Sequence, residues 1–255
     1  MTRTVAVFSL GGAPGVTSVG MALAAVWPGE SPGLLVEADP AGGAVAVWRR
    51  VPTEPGLTSL AAATRGGGGA DPDQHTQALP GGLLVCPAPV TGDPAEGAVR
   101  LLGRQPLELG AVSAPVVVLD LGRLTASSPA RALVPAADHT VLVVSERLTD
   151  LRRAREHLLA PSFPTRDLRI VVSGGRGGVG QIVGALGTAV WGRIPDDLRS
   201  AEFLRGERDL ARPQRRPLFR AAGRLARALA ESVPVPASEP ERHAVHAPLP
   251  PGVRA

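Results

Sequence analysis

The sequence predicts an α/β fold: a doubly wound, mostly parallel sheet with helices on both faces. Three observations carry this expectation. Apolar, β-branched runs recur at 4–9, 33–37, 82–86, 115–120, 139–145 and 168–173, continuous rather than alternating, as strands covered on both faces require. Helical stretches separate them, at 16–27, 56–64, 94–103, 128–136, 148–159 and 179–186, and a last long helix covers 217–232. Glycine-rich turns near residues 11 and 174 join strand to helix.

The elements follow in order. "TVAVFS" opens the sheet, and "LGGAPG" turns the chain into a helix beginning at Val16. "GLLVE" and "GLLVC" read as two further strands, the first ending in Glu37 and Asp39. The segment 65–73, "RGGGGADPD", reads as a flexible surface connection without chemistry. "PVVVLD" ends in Asp120, and "HTVLVVS" and "LRIVVS" continue the sheet. From Pro234 proline recurs without apolar periodicity, so residues 1–233 are expected to form one domain and 234–255 a disordered tail.

Composition narrows the function classes. With 255 residues the chain can bury a large core, and no apolar run reaches the roughly eighteen residues of a membrane span. The start lacks a basic region and cleavage site, so no secretory signal is expected. Cys86 is the single cysteine, and the five histidines lack metal-ligand spacing. These features predict a cytoplasmic protein. All 27 basic residues are arginine, so no lysine is available anywhere in the chain. Between Arg199 and Arg227 nine arginines face Glu202, Glu207 and Asp209, a local balance of +6 against +4 overall.

The turn "GGAPGVTS" fits a phosphate-binding loop. Gly11, Gly12 and Gly15 let the backbone wrap phosphate oxygens with its N–H groups, the helix start adds partial positive charge, and Thr17 and Ser18 offer hydroxyls. The lysine that usually reaches the outer phosphates is replaced by Val16. Alone, the turn fits equally well a tight connection with Thr17 as N-cap.

Four later segments stand in a recognisable order: "LLVEADP", "VVVLDLG", "DHTVLVV" and "GRIPDDLRSAEFLRGE". With the loop, they make the chain resemble the ParA/MinD family of deviant Walker P-loop ATPases over about residues 3–230. The likeness is nearest to actinobacterial MinD-like proteins with a "GSPGVT" loop, in which valine at the lysine position is usual. The resemblance implies ATP and Mg²⁺ as ligands. Gly11, Gly12, Gly15, Val16, Thr17 and Ser18 would cradle phosphate, with the Thr17 hydroxyl on magnesium. Asp120 would hold a magnesium-bound water, and Asp39 would help place the attacking water. Ser173 and Gly174 stand where the family passes the base. The family's signature lysine falls at Gly11, so both lysines are missing. Arg123 and Arg176 are the candidate substitutes by sequence position.

Loss of two cations from a site that works by charge neutralisation predicts slow or absent hydrolysis, with binding retained through amides, helix dipole and Mg²⁺. The resemblance further implies a nucleotide-dependent homodimer and a spatial organiser or assembly switch, in chromosome partitioning, cell division or secretion/pilus positioning. The alternative is a nucleotide-free pseudo-ATPase scaffold. It would meet DNA, acidic membrane or an unknown protein partner through Arg212, Arg215, Arg216, Arg220, Arg224 and Arg227, at the nucleoid or the membrane. In the last helix Leu218, Ala222, Leu225 and Leu229 share one stripe and Arg220, Arg224 and Arg227 the opposite face, which also fits a docked helix with a solvated side. Glu37 reads as a satisfied strand-end acid, Trp27, Trp48 and Trp191 as packing residues, and Cys86 as an inert buried thiol. Ser9 and Ser145 lack a partnered histidine, so no hydrolase triad is expected. The turn "GGRGGVG" has the glycine content of a dinucleotide loop, a weak signal by itself.

Overall fold

The computed structural model describes residues 2–11, 14–66, 71–104, 112–160 and 167–232. Gly12 and the tail expected from Pro234 lie outside the described residues, as do residues 67–70 of the connection.

Eight strands form one sheet: β1 (Arg3–Ser9), β2 (Leu34–Glu37), β3 (Gln77–Ala78), β4 (Leu84–Cys86), β5 (Val116–Arg123), β6 (His139–Ser145), β7 (Leu168–Ser173) and β8 (Gly192–Ile194). Their order is β3-β4-β2-β5-β1-β6-β7-β8, parallel throughout except for the short antiparallel pair β3–β4 at one edge. The helices are α1 (Val16–Ala25), α2 (Val45–Arg49), α3 (Leu57–Ala63), α4 (Gly92–Leu102), α5 (Leu148–Leu159), α6 (Val179–Leu186), α7 (Leu198–Arg205) and α8 (Pro217–Glu231).

Alternation along the central strands builds two cores. Val5, Val7, Val118, Val141 and Val143 point to the layer containing α1, α7 and α8. Ala6, Phe8, Leu119, Leu142 and Val144 point to the layer of α3, α4, α5 and α6. Both faces are therefore covered, and the strands read as unbroken apolar runs because neither face meets water.

Most expected elements are present, and the departures have local causes. The expected helix 128–136 is a 3₁₀ helix, Pro129–Ala136, with Pro135 inside it and Pro129 at its start; proline lacks the N–H that an α-helical turn needs. The strand ending at Asp120 runs on to Arg123, through Gly122 at φ 57°. Strands β3 and β8, and helices α2 and α7, are short and lack long apolar runs. The last helix packs on α1 and β8, with Leu218, Ala222, Leu225 and Leu229 buried and Arg220, Arg224 and Arg227 exposed. Trp27 is buried, Trp48 and Trp191 pack half-buried on the same core, and Cys86 is fully buried, which pushes its thiol pKa up.

Candidate functional site

Strand β1 lies between β5 and β6, and the connections leaving β1 and β6 run to opposite layers, α1 to one face and α5 to the other. Divergence of neighbouring connections opens a crevice at the carboxyl ends of the strands, the usual ligand position in such sheets. A cavity of about 660 Å³ occupies it. Pro14, Gly15 and Ser18 line it from the first turn, Ser145 and Asp150 from β6 and α5, and Ser173 and Gly174 from the second glycine turn.

The first turn ends in Gly15, left-handed at φ 82° and ψ 39°. Only glycine adopts this conformation without steric cost, which explains its place before α1. Helix α1 carries no side-chain cap and no acidic residue in its first turn. Thr17 is therefore not the N-cap, and the first amides of α1 keep their partial positive charge for another acceptor. Val16 is buried in the core beneath α1.

Carboxylates gather beside this helix end. Asp120 is buried, accepts the Gly122 N–H at 3.0 Å, and has the Thr17 hydroxyl as a hydrogen-bonding neighbour. Burial raises its pKa to about 7, against the Thr17 and Gly122 hydrogen bonds, while the charges of Glu37 and Asp39 push the same way as burial. Asp39 is also raised by burial; its Oδ1 accepts the Ala41 N–H at 2.8 Å, and its carboxylate packs on the Cα of Gly122. A side chain at position 122 would displace it. Glu37 accepts three backbone N–H groups, from Ala44 at 2.8 Å, Val45 at 3.0 Å and Ala88 at 3.1 Å. It is the satisfied strand-end acid its sequence position suggested, tying β2 to the loops that follow β2 and β4.

The second glycine turn serves a different end. The amides of Arg176 and Gly177 donate to Glu146 at 3.1 and 2.9 Å, and Arg193 adds a charged hydrogen bond at 3.0 Å. These backbone donors hold the Glu146 carboxyl below its usual range. Gly175 donates to Asp196 at 3.1 Å. The turn is thus an anion nest closed on the protein's own carboxylates, which argues against a dinucleotide loop.

Three arginines singled out in the sequence have distinct surroundings. Arg123 and Arg176, the candidate substitutes for lysine, are exposed, and Arg176 meets Glu146 through its backbone. Arg216, counted with the basic surface, donates to Asp197 at 2.5 Å and is committed to that pair. The residue that reaches the first turn is Arg153 of α5, whose guanidinium lies over Gly11. Its sequence context, "TDLRRAREH", is that of an ordinary solvated helix face, and no linear signal marks it.

No protein-family model matches the chain, and no curated protein matches it by sequence. Solved structures do. A ParA family ATPase from Chlorobium tepidum TLS gives a TM-score of 0.71 over 89% of this chain and 99% of its own, at 18% identity. The fold is that of the ParA and MinD ATPases. The septum site-determining protein MinD from Pyrococcus horikoshii OT3, solved with Mg-ADP, gives 0.70 over 91% and 97% at 15% identity. A chain of the MinC:MinD cell division protein complex of Aquifex aeolicus gives 0.64 over 92% and 98% at 17% identity. The likeness runs over nearly the full length of both chains, and at these identities it concerns the fold. Among the described residues no cluster of three metal-ligating side chains occurs, and no helix is long and apolar enough to cross a membrane.

Proposed function

We propose that this chain is a ParA/MinD-like nucleotide-binding protein that takes ATP with Mg²⁺ and hydrolyses it slowly or not at all, acting as a spatial organiser or assembly switch. One observation carries the reading. The uncapped start of α1, led by left-handed Gly15, borders a cavity of about 660 Å³ with the Thr17–Asp120 pair beside it. Backbone amides at a helix start suit phosphate, and a carboxylate with a hydroxyl suits Mg²⁺, which takes one or two protein oxygens and fills the rest with water and phosphate. Gly11, Gly15, Val16 through its amide, Thr17 and Ser18 would hold the phosphates. Thr17 and Asp120 would hold the metal, and Asp39 would orient water. Ser173 and Gly174 would border the base. A bound Mg²⁺ would neutralise phosphate charge and offset the burial of Asp120. The absence of lysine supports weak catalysis, and the MinD neighbour solved with Mg-ADP supports the ligand class.

A dimer is part of this reading. Five exposed apolar residues, Val47, Val90, Leu148, Val179 and Leu198, follow the carboxyl ends of β2, β4, β6, β7 and β8 in turn. An apolar rim around the candidate site suits a second copy facing it. The second reading, a nucleotide-free scaffold, draws on the exposed Arg212, Arg215, Arg220, Arg224 and Arg227 as a surface for DNA or acidic membrane.

Titration calorimetry with ATP, with and without Mg²⁺, tests the first reading, together with phosphate release. Saturable Mg²⁺-dependent binding with turnover well below about 1 s⁻¹ is expected. No binding at millimolar nucleotide sinks it in favour of the scaffold, and faster turnover overturns the slow-hydrolysis part.

A further inference from the structure

The first turn has a cation over it that the loop itself does not supply. A methyl group built on Gly11 would overlap Nη1 of Arg153 and stand 2.9 Å from its Cζ and 3.1 Å from its Cδ. The guanidinium therefore fills the space that a side chain at position 11 would take, and Gly11 is buried beneath it. Arg153 lies there without being saturated. Its charged neighbour Asp150 stands at 3.6 Å, outside hydrogen-bond reach, and the Arg153 side chain remains 42% exposed. The other Asp150 oxygen accepts the Ser145 hydroxyl at 2.5 Å, which fixes the carboxylate beside the cavity that both residues line. Arg193 and Arg216 nearby are committed to Glu146 and Asp197.

We infer that Arg153 is a phosphate-holding residue. Its guanidinium reaches across Gly11 from α5 to the phosphates of a bound nucleoside triphosphate and supplies the positive charge that a lysine-free loop lacks. This rests on the nucleotide site proposed above. Guanidinium is always ionised, and its planar fork matches phosphate oxygens in pairs. Glycine at position 11 and arginine at position 153 form one unit, because any side chain on the first displaces the second.

The test compares wild type with Arg153→Ala, Arg153→Lys, Gly11→Ala, Arg147→Ala and the Gly11→Ala/Arg153→Ala double variant. Calorimetry reads Mg-ATP affinity, saturation-transfer NMR reads adenosine, and thermal melting shows that each variant is folded. Arg153→Ala is expected to weaken ATP about tenfold or more, the value of a charge-assisted contact, with adenosine unchanged and lysine restoring part of the loss. Gly11→Ala should weaken ATP in the same direction by pushing the flexible guanidinium aside, and the double variant should lose no more than Arg153→Ala. Arg147→Ala, which removes a cation lining the cavity, should cost less. The inference is overturned if Arg153→Ala binds ATP as tightly as wild type, loses adenosine equally, or is matched by Arg147→Ala. Wild-type protein that binds no nucleotide defeats the proposed function itself, and this role with it.

Discussion

Asp120 is the residue whose chemistry is most altered by its surroundings. Its carboxyl titrates at about 7 in the folded chain against an ordinary value of 3.8, chiefly because it is buried. The folded protein therefore binds more protons than the unfolded chain between about pH 4 and pH 7, so stability falls as pH rises through that window. The penalty is absent below the ordinary value and complete above pH 7. At about 1.4 kcal/mol per tenfold change in proton affinity, it is on the order of a few kcal/mol. Asp120→Asn keeps the oxygen that accepts from Gly122 and removes the charge. In EDTA without nucleotide, its melting temperature should exceed wild type at pH 8 and converge with it near pH 4. A gap that does not change with pH would contradict this account. The strand that carries Asp120 and the helix start that carries Thr17 were legible because such elements are short-range features. The meeting of Arg153 with Gly11 was not, because it depends on how α5 is laid beside the turn after β1.

Helix α8 shows how one element divides its two faces between stability and charge. Leu218, Ala222, Leu225 and Leu229 are buried against α1 and the sheet, so Leu225→Ala should destabilise by about 2–5 kcal/mol in a denaturant titration. Glutamate at positions 220, 224 and 227 should shift stability little, since these arginines are exposed and surface changes usually stay within about 0.5 kcal/mol. If the solvated face binds polyanions, the same triple change should abolish salt-sensitive binding to DNA or acidic vesicles; unchanged binding would exclude this face. The i, i+3, i+4 stripe made the docking of α8 readable. The electrostatics of the basic segment leading into it were only half readable, because Arg205 and Arg208 pair with Glu207 and Glu202, and Arg216 with Asp197. Periodicity reports which side is wet, whereas pairing across a turn depends on rotamers. The same limit hid β3 and β8, which exist as strands only because β4 and β7 offer an edge.

At the scale of the whole molecule, the parallel sheet places the connections that carry candidate site residues at the carboxyl ends of its strands, along with five exposed apolar side chains. Leu148 and Leu198 are 72% and 70% exposed there. A Leu148→Glu/Leu198→Glu variant should keep the fold and lose any ATP-dependent dimer seen by sedimentation velocity; a dimer that persists would place the contact elsewhere. The parallel architecture itself was legible from the unbroken valine and leucine runs, whose even burial on two faces needs no long-range knowledge. The burial of Val16 and the seating of Arg153 on Gly11 have a further consequence, for redesign of the loop. Lysine at position 16 would put a longer, charged side chain where a core methyl now packs. Lysine at position 11 would collide with a guanidinium. A lysine at either position therefore meets a neighbour already in place: packed core at 16, and at 11 a flexible side chain that has to swing away. Engineering a lysine into this loop is therefore simplest at position 11 with Arg153 shortened at the same time.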